Sequence, residues 1–157
     1  MCKNVQCVRS SVLNDTAFLY VALFNARCVC NKLPELNRLR YHENQDVILI
    51  TETWLNTNFP DNLLDPESRY HIFRCDRDHQ RGGGVCILVN RKLNTLNVRI
   101  AGVLSSFEIL CVDVLHRNVK CRFITVYRPT DTISQSEEYT RQLVHCLKNL
   151  THVQGYF

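Results

Sequence analysis

The first feature of this sequence with chemistry in it is a carboxylate at the end of a short apolar run. The stretch reads Asp46-Val47-Ile48-Leu49-Ile50-Thr51-Glu52-Thr53-Trp54-Leu55, and Trp54 is the only tryptophan in the chain. A run of aliphatic and β-branched residues this short reads as a buried strand. Glu52 then stands at the strand's carboxyl end, where α/β proteins commonly open a ligand crevice. Mg²⁺ favours one or two carboxylates supplemented by water and phosphate, so a hard cation is the ligand such a position suits. The plain alternative is that Glu52 is simply the first polar residue after a strand.

The nine cysteines offer a second kind of chemistry, and their spacing argues against it. None forms Cys-x-x-Cys, and Cys28-Val29-Cys30 is too close and too isolated for a zinc knuckle. Cys86, Cys111 and Cys121 sit inside apolar runs, where a free thiol behaves as a small hydrophobe. The expectation is a reduced, intracellular chain with no structural metal and no disulfide scaffold.

The elements that must position Glu52 follow from length and patterning. At 157 residues, with 45% hydrophobic and 22% charged residues, the chain fits one domain with a substantial core. A net charge of +4 is compatible with a polyanionic partner. No run is long enough to cross a bilayer and no signal-peptide pattern opens the sequence, so no membrane association is expected. The sequons at Asn14 and Asn149 are read as chance.

Residues 1–17 carry no clear period and are expected to form a loose leader. Phe18–Phe24 reads as a strand ending at Asn25. A helix is expected from Asn31 to His42, with Asn31 as its cap, Pro34 in the first turn and Leu33, Leu36 and Leu39 on one side. The strand around Ile48 completes a right-handed βαβ unit. Thr53–Arg69 reads as a long loop and Tyr70–Cys75 as a short strand. Beyond the charged turn 76–84, strands recur without helices: Val85–Val89, a weaker one near Val98, Phe107–Leu115 and Cys121–Tyr127. The last two are joined by a hairpin turn at Arg117-Asn118. A helix is expected from Gln135 to Leu150, opened by a capping box of Ser134 and Glu137. The switch from βαβ to consecutive strands points to a mixed sheet or two stacked sheets.

Five segments then fall into order: Asn25-Ala26-Arg27, Thr51-Glu52-Thr53-Trp54-Leu55, Asp76-Arg77, Arg81-Gly82-Gly83-Gly84-Val85 and Val126-Tyr127-Arg128-Pro129. Together they resemble the endonuclease/exonuclease/phosphatase superfamily, and most closely the endonuclease domain of non-LTR retrotransposons. The resemblance covers residues 18–157. It implies an α/β fold, a two-sheet sandwich with α-β-β-α layers, here without its last strands. It also implies a Mg²⁺ (or Mn²⁺) ion, with Glu52 as ligand and Asn25 helping to hold the metal or its waters. Tyr127 would hydrogen-bond the scissile phosphate. Arg77, Arg81 and Arg128 would meet the DNA backbone.

In-line attack on a phosphodiester needs a cation for the charge developing on phosphate and leaving oxygens, and neutral donors aimed at that charge. Asn and Tyr are such donors. The family pattern also calls for a Gly-Asp-x-Asn segment and a later Ser-Asp-His segment, whereas this sequence closes on Gly155-Tyr156-Phe157. The expectation is therefore a DNA endonuclease-like chain, impaired or inactive, or a non-catalytic retroelement remnant with weak DNA binding. A lipid phosphatase or RNA deadenylase is a further alternative within the superfamily. DNA is the expected partner, with no small-molecule cofactor, a nuclear location if the chain is functional, and a second chain as the candidate cover for exposed strands.

Overall fold

The computed structural model describes residues 5–11, 18–77, 82–98, 100, 107–128 and 136–152. Among these residues eight strands form two sheets, with two α-helices in the layers outside them. The strands are β1 (Val5–Ser11), β2 (Phe18–Asn25), β3 (Val47–Thr51), β4 (Tyr70–Cys75), β5 (Val85–Asn90), β6 (Asn94–Asn97), β7 (Glu108–His116) and β8 (Val119–Tyr127). The first sheet runs β1-β2-β3-β5-β4 and the second β6-β7-β8. Only β2 and β3 pair in parallel; every other pairing among the described residues is antiparallel.

Side-chain alternation along the strands divides the core into three layers. Ile48, Ile50, Cys86 and Leu88 face outward onto Leu36, Leu39 and Leu64. Val47, Val85, Ile87 and Val89 face the other way, onto Leu110, Val112 and Val114 of the second sheet. Ile109 and Cys111, on the far side of β7, pack with Cys146 and Leu150 of α2 (Ser136–His152). These are the α-β-β-α layers expected from the sequence.

Two local expectations are corrected. Residues 5–11, expected within a loose leader, form β1, paired from Val5↔Phe24 to Ser11↔Phe18. Weak local patterning was overridden by the free edge of β2, which supplies hydrogen-bond partners that no local signal reveals. The helix expected from Asn31 begins earlier, as a 3₁₀ turn at Val29–Lys32, then α1 (Leu33–Asn37), then a π turn at Arg38–His42. None of these turns has a side-chain cap, so Asn31 is not the cap. Pro34 does stand in the first turn of α1. The widened π turn lets adjacent residues Leu39 and Arg40 both point inward.

The hairpin at Arg117-Asn118 is as expected. His116 pairs with Val119 across a two-residue loop whose φ values are 49° and 64°, the type I′ signature. Ser134 of the expected capping box lies outside the described residues. At the far end of α2, Arg122 on β8 donates to the carbonyl of Leu150 and grips Asp113 of β7 with two bonds of 2.6 Å.

Tyr70 is buried, and its hydroxyl donates to the carbonyl of Gln45 at 2.7 Å. Burial pushes its pKa up to about 12. The neutral phenol is therefore favoured by the fold, and its contribution is complete below the unfolded value near 10 and lost as pH rises through 12. Chemical denaturation at stepped pH is expected to show roughly 2 kcal/mol of lost stability across that window, which Tyr70→Phe removes. An unchanged alkaline slope in the variant would rule this assignment out.

Candidate functional site

Parallel pairing of β2 and β3 brings their carboxyl ends to the same edge, with Asn25 opposite Thr51. The antiparallel neighbours complete the row, since Thr51 faces Val85 and Val85 faces Cys75. The ladder continues past the strands: Ala26 N–H donates to Thr51 O at 3.0 Å, Cys28 N–H to Glu52 O at 2.9 Å and Val29 N–H to Thr53 O at 3.0 Å. On the other side, Thr53 and Trp54 donate to Gly84 O and Gly83 O at 3.2 and 3.0 Å. Glu52 thus sits on a turn held from both flanks.

That turn is strained. Arg27, Cys28, Glu52 and Trp54 all have positive φ, between 44° and 81°. Non-glycine residues adopt such backbone at a cost of ~1–3 kcal/mol each, and it persists where surrounding bonds enforce it, often at functional sites.

The Asn25 and Glu52 side chains meet at this end of the sheet. Asn25 Nδ2 donates to Glu52 Oε1 at 2.9 Å. Asn25 Oδ1 is buried with no hydrogen-bond partner, and so is Thr53 Oγ1. Asn25 has therefore spent its donor on the carboxylate and left its acceptor facing nothing in the protein. A buried acceptor without a partner is costly, and a cation or an ordered water relieves that cost. An amide oxygen beside a carboxylate fits a hard, oxygen-seeking ion. Among the described residues no group of three or more His, Cys, Asp or Glu side chains could hold a metal. A cation here would draw the remainder of its shell from water and phosphate, as Mg²⁺ does.

Tyr127 ends β8 on the inter-sheet side, packed against the core between the two sheets, and β8 packs against β3 and β5. It is therefore on the other sheet, and the contacts of neighbouring Glu108 with Arg77 and Gly83 put it at the glycine-turn end of the sandwich. Its register partner is Glu108 at the start of β7. Glu108 escaped the sequence reading because a lone acid opening an apolar strand resembles any solvated strand end.

The three arginines expected on DNA separate. Arg77 is engaged by Glu108, Nε to Oε1 at 2.6 Å. Arg128 lies over the ring of Tyr139, 4.4 Å from its centroid. Arg81 lies outside the described residues.

Several thiols among the described residues are held protonated. Burial pushes the Cys75 and Cys86 thiols up, and Cys30 is raised by burial and by its neighbour Cys28. A raised pKa keeps a thiol protonated and inert. A cavity of about 280 Å³ lined by Asp61, His71 and Arg91 lies at the opposite end of β4 and β5, where Tyr70 pairs with Asn90.

No protein-family model and no curated protein matches the sequence. Solved structures match it in fold. D. rerio TDP2 humanized by 14 mutations superposes with a TM-score of 0.60 at 18% identity, over 85% of this chain and 56% of that one. The chain has the endonuclease/exonuclease/phosphatase fold. D. rerio TDP2 complexed with a single-strand DNA product gives a TM-score of 0.57 at 17% identity, over 80% of this chain and 49% of its own. The endonuclease domain of TRAS1, a telomere-specific non-LTR retrotransposon, gives 0.53 at 15% identity, over 78% and 52%. The chain thus spans about half the length of the solved structures it matches.

Proposed function

We propose that this chain carries the Glu52 side of a metal-dependent DNA nuclease centre. The observation that supports it most is the Asn25–Glu52 pair, joined at 2.9 Å on a strained turn, with Asn25 Oδ1 buried and unpartnered. Glu52 and Asn25 are the residues to hold Mg²⁺ or Mn²⁺, which when bound would offset the charge developing on a phosphodiester under attack. Tyr127, from the facing sheet, is the neutral donor for a phosphate oxygen. Asn25 also fixes the Glu52 carboxylate by occupying one of its oxygens. The solved relatives of this fold include one complexed with a single-strand DNA product and one retrotransposon endonuclease domain, which favours DNA as the substrate class.

A single carboxylate with an amide binds the ion weakly, and this favours a second reading in which the chain binds DNA without cleaving it. Nicking of supercoiled plasmid in Mg²⁺ separates the two. Nicking that chelator abolishes and Glu52→Ala reduces by about 10²-fold or more is the expected result for the nuclease. Equal background from both proteins would leave only the binding reading.

A further inference from the structure

We propose that Glu108 and Arg77 form a positioning latch that clamps the glycine turn 82–84 and, through it, the turn bearing Glu52. The proposal rests on the nuclease reading for the role of Glu52, but its geometry is independent of metal and DNA. Arg77 Nε donates to Glu108 Oε1 at 2.6 Å, and the two side chains are only 20% and 11% exposed. Glu108 Oε2 is buried with no hydrogen-bond partner, so the carboxylate is held by Arg77 from one side only. Gly83 lies against both groups. A Cβ placed on it would stand 3.1 Å from Arg77 Nε and 3.2 Å from Glu108 Oε2, and its φ is +76°. The ion pair therefore closes over a backbone position where even a Cβ would press on it.

The force is passed on by the glycine carbonyls. Gly83 O accepts from Trp54 N–H at 3.0 Å and Gly84 O from Thr53 N–H at 3.2 Å, immediately after Glu52. Glu108 itself begins β7 opposite Tyr127. One carboxylate thus ties three parts of the site: the facing sheet's end, the glycine turn and the metal-side turn. Without DNA present, the Arg77 guanidinium is held by Glu108.

Trp54, the only tryptophan, reports on this latch directly. A Cβ at Gly82 would lie 3.6 Å from its indole nitrogen, so the indole packs against the turn. The experiment is acrylamide quenching of Trp54 in the parent, Arg77→Met, Glu108→Gln and the double variant, without metal. Each single variant is expected to raise the quenching constant by about two-fold, as the turn opens locally while the sheets stay closed. The double variant is expected to match the singles, because residues acting as one pair are non-additive. Unchanged quenching in the singles, or additive effects in the double, would overturn the latch. Should Glu108→Gln fail to give native far-UV circular dichroism, Arg77→Lys carries the same test, since it keeps the charge and loses the Nε donor. Mn²⁺ titration of the same fluorescence separates the two ideas. Saturable quenching that Glu52→Gln removes supports the metal site, and its absence in the parent sinks that site while the acrylamide result still decides the latch.

Discussion

Asp65→Ala is expected to cost about 3–5 kcal/mol, a large share of the ~5–15 kcal/mol that holds a domain together. The Asp65 and Arg40 side chains are each 1% exposed and meet at 2.6 Å. The second oxygen of Asp65 accepts the N–H of Tyr70 at 2.7 Å, at the first residue of β4. Arg40 comes from the π turn, with its guanidinium over the ring of Tyr41, and its Nε already lacks a hydrogen-bond partner. Removing the carboxylate strands a buried cation and an amide at once. The cost is that uncompensated charge rather than the net value of the pair. Urea and thermal melts should show the loss, with Tm falling by roughly 10 °C. The double variant Arg40→Met, Asp65→Asn removes the charge while leaving an oxygen for Tyr70, and should recover most of the stability. If Asp65→Ala melts like the parent, the account of this pair is wrong.

The second large effect is expected at Gly84. A Cβ there would be driven into Thr53 Oγ1, well inside van der Waals contact, at a φ of +79°. Thr53 is fully buried and β-branched, so it has little rotamer freedom with which to yield. Left-handed backbone and overpacking together predict a loss of about 2–4 kcal/mol for Gly84→Ala. Because Thr53 adjoins Glu52, the proposed nuclease function predicts that nicking falls further than the melt alone explains. Adding Thr53→Ala relieves the collision but leaves the backbone strain, so it should return part of the stability. A double variant no more stable than Gly84→Ala would show that the collision is not the cause.

Much of this was legible in the sequence. Tyr70–Cys75 matches β4 residue for residue, and the Val85 and Ile48 runs are strands because each is short, aliphatic and bounded by turn-forming residues. The Arg117-Asn118 hairpin follows from turn length alone. Asn25 beside Glu52 was implied by the family pattern, and parallel pairing supplies the reason they meet. What was not legible is non-local. Strand β1 pairs along the edge of β2, and Arg40 in the π turn reaches Asp65, twenty-five positions away. The partner of Arg77 is equally hidden, since Glu108 stands thirty-one residues on.

The ladder that runs on beyond β2 and β3 has a consequence for motion. Loops that carry function are commonly the first regions to open, because few bonds tie them to the core. Here the amides of Ala26, Cys28, Val29, Thr53 and Trp54 are all committed to carbonyls of neighbouring segments. Hydrogen exchange at these amides is therefore expected to be slow and to require loosening of the end of the first sheet. The Glu52 turn is therefore expected to open together with β3, as an anvil rather than a gate.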